Sequence, residues 1–85
     1  MARFDLEFAP SVKKDLKRIN RSDVSRVLEA IDQLQYDQNP QGSKKLVNEA
    51  LFRIRVGVYR IVYEIHERKL VVLIVKVGHR KSVYI

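Results

Sequence analysis

LFRIRVGVYRIVYEIHERKLVVLIVKVGHRKSVYI, residues 51–85, reads as two successive β-hairpins followed by a short basic tail. Successive side chains leave opposite faces of a strand, so Phe52, Ile54 and Val56 point one way while Arg53 and Arg55 point the other. Tyr59, Ile61, Tyr63 and Ile65 continue the apolar side in the second run. Gly57-Val58 between the runs suits a two-residue type II′ turn, which takes glycine at its first central position. Such a turn sets the register, with Val56 opposite Tyr59, Arg55 opposite Arg60 and Ile54 opposite Ile61. Arg53, Arg55 and Arg60 then share one face. Like charges directly across a ladder are unfavourable by roughly 0.2–1 kcal/mol, and an anionic ligand relieves them. The plainer reading is that the guanidinium groups keep an outer sheet face wet while their stems lie along it. With Glu64 the only nearby acid, three arginines on adjacent strands weigh toward the ligand.

Working outward, the 85 residues make one small domain, residues 1–85, with apolar content for a modest core and marginal stability on its own. Seventeen Lys and Arg against ten Asp and Glu give a net charge of +7, spread over every predicted element rather than gathered in a tail. A folded basic surface facing a polyanion or an acidic partner is the implication. The chain has no cysteine, which removes disulfides and thiolate metal sites and suits a reducing, cytoplasmic setting. Its start, MARFDLEFAPS, is not a signal peptide, and no apolar run approaches the ~20 residues of a membrane span.

Upstream of the hairpins, Arg3–Phe8 alternates as a half-buried strand. Pro10 opens a short helix in which Val12, Leu16 and Ile19 recur at helical spacing, with Lys13, Lys14, Lys17 and Arg18 on the wet side. Ser22 is the expected N-cap of a second helix reaching about Tyr36, with Val24, Val27, Leu28, Ile31 and Leu34 as its apolar stripe. A link this short predicts a helical hairpin. Residues 37–45 read as a loop. In the second hairpin a three-residue turn at Glu67-Arg68-Lys69 places Lys76 opposite Arg60. Val71–Val75, five apolar residues in a row, predicts a strand covered on both faces for part of its length or awaiting a partner. The expected fold is α+β in the order β-α-α-β-β-β, a helical hairpin packed on one face of a mainly antiparallel sheet.

His66 and His79 are isolated and the acids are scattered, a pattern that disfavours a metal-dependent phosphodiesterase. No phosphate-cradling glycine loop or nucleophile elbow is present. What remains is Arg53, Arg55, Arg60, His79, Arg80 and Tyr84. Metal-free RNA cleavage needs a base for the 2′-OH, cations for the developing phosphorane charge and an acid for the 5′-oxygen. Arginine fills the middle role because its planar fork matches a phosphate and stays protonated. A tyrosine base needs neighbouring cations, and the arginines supply them. Lys76, Lys44 and Lys45 are candidates for further phosphate contacts. Read plainly, Tyr84 is a packing aromatic, His79 a solvated histidine and Arg80-Lys81 an ordinary basic tail. Tyr59 and Tyr63 belong to the core.

The run from Leu51 to Ile65, with Gly57-Val58-Tyr59-Arg60-Ile61-Val62-Tyr63 at its centre, followed by Val77-Gly78-His79-Arg80 and Val83-Tyr84, resembles the RelE family of toxin–antitoxin ribonucleases. The likeness covers the chain in length and element order. It is strong for the RelE/ParE superfamily and looser for its nuclease branch. It implies a toxin that enters the ribosomal A site and cuts mRNA without a cofactor, leaving a 2′,3′-cyclic phosphate. A cognate antitoxin silences it and provides the only link to promoter DNA; no membrane is involved. By position, Arg53 and Arg55 match a basic pair, Arg60 the arginine that stabilises the transition state, Arg80 a leaving-group acid or phosphate clamp, and Tyr84 the general base. The chain departs from the pattern in carrying arginines for lysines, in ending soon after Tyr84, and in placing His79 beside Arg80 as a second candidate base. Two other functions fit the same residues: a ParE-like inhibitor that binds DNA gyrase, and a basic RNA- or ribosome-binding module without catalysis.

Overall fold

The computed structural model describes residues 3–46 and 50–79. Its elements are β1 (Asp5–Phe8), α1 (Pro10–Lys17), α2 (Arg21–Gln33), β2 (Lys44–Lys45), β3 (Leu51–Val56), β4 (Tyr59–His66) and β5 (Val71–His79). They form one sheet in the order β1-β5-β4-β3-β2, with β1 parallel to β5 and the other pairs antiparallel. The expected α+β arrangement is therefore present, with two differences. Lys44-Lys45, expected in a loop, forms a two-residue edge strand against Arg53 and Phe52. The first strand begins at Asp5, not Arg3.

Both helices lie on one sheet face, α1 over β5 and α2 over β3. Pro10 opens α1 where its missing N–H costs nothing, and Lys14 and Lys17 in the last turn complement the helix dipole. Asn20 rather than Ser22 caps α2, its side chain accepting from the Ser22 N–H at 3.2 Å. The helix stops at Gln33 rather than Tyr36, and Gln38 donates to the freed carbonyls of Leu34 and Gln35 at 2.9 and 3.0 Å. Val12, Ile19, Val27, Ile31 and Leu34 bury against Ile54, Ile61, Tyr63, Val72, Ile74 and Val77. Burying each such side chain contributes about 1.5–3 kcal/mol. Leu28, expected in the stripe, is 42% exposed.

The first hairpin has the expected register, Val56↔Tyr59, Arg55↔Arg60 and Ile54↔Ile61. Gly57 has φ +58° while Val58 does not enter positive φ, which is the type II′ pattern. The second hairpin differs. His66 pairs with Val71, so the turn holds four residues, and Leu70 takes φ +53° to close it. A β-bulge follows at Val75 of β5, where the partner jumps from Ile74, opposite Tyr63, to Lys76, opposite Val62. Lys76 thus stands opposite Val62 rather than Arg60, and Gly78 stands opposite Arg60. The longer turn alone would have shifted the pairing by one residue and turned Lys76 into the core. The bulge restores the parity, so Val77 is buried and Lys76 shares the face of Arg60.

Val71–Val75 is central, held by β1 on one edge and β4 on the other. Val72 and Ile74 are fully buried under the helices, while Val71, Leu73 and Val75 are half-buried on the other face. No helix among the described residues is long and apolar enough to cross a membrane.

Candidate nucleic-acid interface

The sheet face away from the helices is divided by charge. Pairing places Arg53, Arg55, Arg60, Lys44 and Lys76 toward the Gly57 end, and Glu64, His66, Asp5 and Glu7 toward the other. His66 Nε2 and Glu64 Oε1 are 2.7 Å apart, so the one acid nearest the arginines on β4 is engaged with the histidine. Val56↔Tyr59 flanks a two-residue turn and exchanges main-chain hydrogen bonds. Arg55↔Arg60 is therefore the non-hydrogen-bonded pair, in which Cα atoms approach to about 4.5 Å and side chains stand closest.

Arg53 is 8% exposed, Arg60 half-buried and Arg55 exposed. Burial, and then the charges of Arg55 and Arg60, pull the Arg53 pKa below the ordinary arginine value. Desolvation and like charge thus both disfavour the cation at Arg53, and an anion on this face would offset both.

Lys44, opposite Arg53, lies on this face; Lys45, opposite Phe52, lies on the other. His79 pairs with Tyr59, and the alternation that brings Lys76 beside the arginines carries His79 to the helix side. There its ring meets the Tyr59 ring edge-on, centroids 6.3 Å apart. The structure does not bring His79 together with Arg60. Arg80 and Tyr84 lie outside the described residues.

Two polar anchors position this end of the sheet; one depends on Tyr59, expected only as core, and the other on Asp15, to which no role was assigned. Tyr59 Oη donates to Asp23 Oδ2 and accepts from the Asn20 N–H, each at 3.2 Å. Asp23 also holds Arg26 at 2.6 Å. The start of α2 is thereby tied to the first residue of β4, beside the turn. Asp15, 9% exposed on α1, accepts the Val77 N–H at 3.1 Å. That bond satisfies the β5 edge beyond Ile74, where β1 has ended. The hydrophobic period marks Tyr59 as inward and says nothing of its hydroxyl. Asp15 carries one available signal, an acid between Val12 and Ile19 on the helix's inner side.

The model of the family described as the ParE toxin of type II toxin–antitoxin systems, parDE, matches residues 6–84. The chain belongs to that family, within the RelE/ParE superfamily. Solved structures of RelE toxins share its fold. In the RelB–RelE antitoxin–toxin complex of Methanococcus jannaschii the matched chain is 30% identical, with TM-score 0.75 over 92% of this chain and 94% of that one. In the RelE–RelB complex of Pyrococcus horikoshii OT3 it is 26% identical, with TM-score 0.82 over 95% and 99%. In the RelBE2 toxin–antitoxin complex of Mycobacterium tuberculosis it is 27% identical, with TM-score 0.80 over 93% and 100%. No curated protein sequence matches. As a RelE/ParE toxin, the chain carries these basic residues on the sheet face away from the helices, where Lys44 and Arg55 are exposed and Arg53 and Val62 are buried.

Proposed function

We propose that this toxin is a ribosome-dependent mRNA endonuclease acting in the A site by attack of a 2′-oxygen on the adjacent phosphorus. The new P–O2′ bond forms as the P–O5′ bond breaks, giving a 2′,3′-cyclic phosphate and a 5′-hydroxyl. The 2′-OH proton leaves to Tyr84 and the 5′-oxygen gains one from Arg80, the roles that the family resemblance implies. Arg60 and Arg55 stabilise charge on the equatorial oxygens, while Arg53, Lys76 and Lys44 hold flanking phosphates. The observation that carries this reading is the pairing of Arg55 with Arg60 beside a buried Arg53, whose cation is disfavoured by burial and then by those two charges and would be favoured by a phosphate. His79, across the sheet, is left out of the chemistry.

A cognate antitoxin is the second partner. It is supported by the toxin–antitoxin complexes among the similar structures and by an apolar hollow between Phe8, Pro10, Leu16 and Leu28, where Phe8 is 47% exposed. The match to the ParE model favours one other function, gyrase inhibition by binding alone.

Purified toxin incubated with programmed ribosomes in EDTA, with mRNA 5′ ends mapped, tests the proposal. Cleavage confined to A-site codons is expected. Intact mRNA together with gyrase-dependent DNA breaks would replace it with the second reading.

A further inference from the structure

At the β3 edge, around the corner from the basic face, lies a cavity of about 590 Å³. Residues 53–56 of β3 form one wall, and Ala30 and Gln33 of α2, with Pro40–Gly42 and Lys44, form the rest. Alternation divides the strand wall: Arg53 and Arg55 belong to the basic face, Ile54 and Val56 to the helix side. The volume is in the range of small-ligand sites.

Three features define what fits. The first is main-chain. Because Val56 and Ile54 bond to β4, the N–H and C=O of Arg55 point to the opposite edge. The Leu46 N–H donating to the Leu51 carbonyl at 2.8 Å shows the same parity on that side. β2 already occupies Arg53, and the chain turns at Gly57, so Arg55 is the one open rung between them among the described residues. A peptide adding as a strand bonds to alternate residues and needs more than one rung. A planar group with one donor and one acceptor needs only one.

The second feature is a pair of side-chain amides. Gln33 and Gln41 line the cavity from two elements, and neither amide has a hydrogen-bond partner among the described residues. Each offers a donor and an acceptor. The third is the surroundings: Ala30, Pro40, Ile54 and Val56 supply flat apolar surface, and Lys44, Arg53 and Arg55 place cations at the rim.

We infer that this cavity takes one nucleobase of a single-stranded RNA whose phosphates cross the Arg55–Arg60 face, with Gln33, Gln41 and the Arg55 main chain reading the base edge. The inference rests on the reading of the basic face as an RNA site, and it makes this cavity a determinant of sequence preference.

The test uses the full chain and a 2′-O-methyl trinucleotide, which cannot be cut, beside an abasic trinucleotide with the same phosphates. Backbone amide shifts are followed by NMR. The intact trinucleotide should shift Ala30, Gln33, Gly42 and Arg55 as well as the arginine face, and the abasic one the arginine face alone. Gln33→Ala and Gln41→Ala should each weaken the intact ligand about threefold to tenfold and leave the abasic one unchanged. Equal affinities and identical shifts for the two ligands would overturn the inference, as would no binding by either. An acidic peptide that shifts the cavity amides when the trinucleotide does not would also overturn it. Base-dependent shifts with intact mRNA on programmed ribosomes would leave the cavity assignment standing and remove the nuclease reading.

Discussion

Arg55 and Arg60 face each other across the closest kind of antiparallel pair, next to a turn whose glycine holds the register. Like charges directly opposite weaken a ladder, and a phosphate between them would offset that. Arg55→Gln should therefore raise stability, by roughly 0.2–1 kcal/mol, while lowering affinity for RNA and flattening its salt dependence by up to ~0.7 in slope for a lost single-strand phosphate contact. Urea unfolding and RNA titration at several salt concentrations measure the two effects. A variant no more stable than wild type, with an unchanged slope, would remove the electrostatic argument for the face.

Gly57 adopts φ +58°, and a Cβ there would come 3.6 Å from Arg26 Nη2, an ordinary contact. The cost of Gly57→Ala is thus backbone strain rather than collision. A loss of about 1–2 kcal/mol is expected by urea unfolding, with Gly57→Asn losing less because asparagine tolerates positive φ. Equal stability of the alanine variant and wild type would show that the turn can be closed another way, releasing the Arg55–Arg60 register.

These two residues also show what the sequence reveals and what it does not. A two-residue turn with glycine first is a local chemical constraint, so the β3–β4 register and the shared arginine face could be read from it. The β4–β5 register could not. Val71–Val75 carries no polar residue to mark which side faces out, so neither the fourth turn residue nor the bulge at Val75 leaves a trace. Lys76 reached the expected face only because those two one-residue shifts add to two, which keeps the side but moves its partner from Arg60 to Val62. His79 was proposed by its place beside Arg80 in the chain, but its pairing with Tyr59 turns it to the helix side, away from the face of Arg60. The Asn20, Tyr59 and Asp15 contacts join residues distant in sequence, or polar atoms on side chains that hydropathy scores by their bulk.

Tyr59 links the α2 start to the sheet through its hydroxyl. Tyr59→Phe leaves the packing intact but strips the Asn20 N–H and Asp23 of a partner, and about 1–2 kcal/mol of stability should be lost. In a double-mutant cycle, Asp23→Ala should cost less in the phenylalanine background than in wild type. Additive losses would mean that the Tyr59–Asp23 bond carries no stability.

Tyr63 is fully buried and its hydroxyl donates to the Gln38 carbonyl at 2.9 Å. Burial raises its pKa to about 12, with a Ser43 hydrogen bond acting against and the Asp37 charge adding to the rise. The unfolded chain loses this proton near pH ~10 while the folded chain keeps it, so the Tyr63 contribution is complete below that value. It is lost as pH climbs toward the folded pKa. Tyr63→Phe should be less stable than wild type by ~1 kcal/mol near neutrality, and the gap should narrow above pH ~10. A gap independent of pH would mean that the phenol ionises alike in both states.

Asp15 gives the last expectation, and it concerns the edge that β1 leaves uncovered. β1 satisfies β5 as far as Ile74, with the Ala9 N–H donating to the Ile74 carbonyl at 2.8 Å. Three residues on, the Val77 N–H has the Asp15 carboxylate as its partner, in a place where both residues are buried. Asp15→Ala would orphan that N–H and should cost about 1–3 kcal/mol. Asp15→Asn keeps an acceptor oxygen and should recover most of the loss. Hydrogen exchange separates this local role from a general one: the Val77 amide should lose more protection in the alanine variant than Val72, deeper in the same strand. Equal loss at both positions would mean that Asp15 supports the whole domain rather than the end of β5 that carries Lys76 into the arginine face.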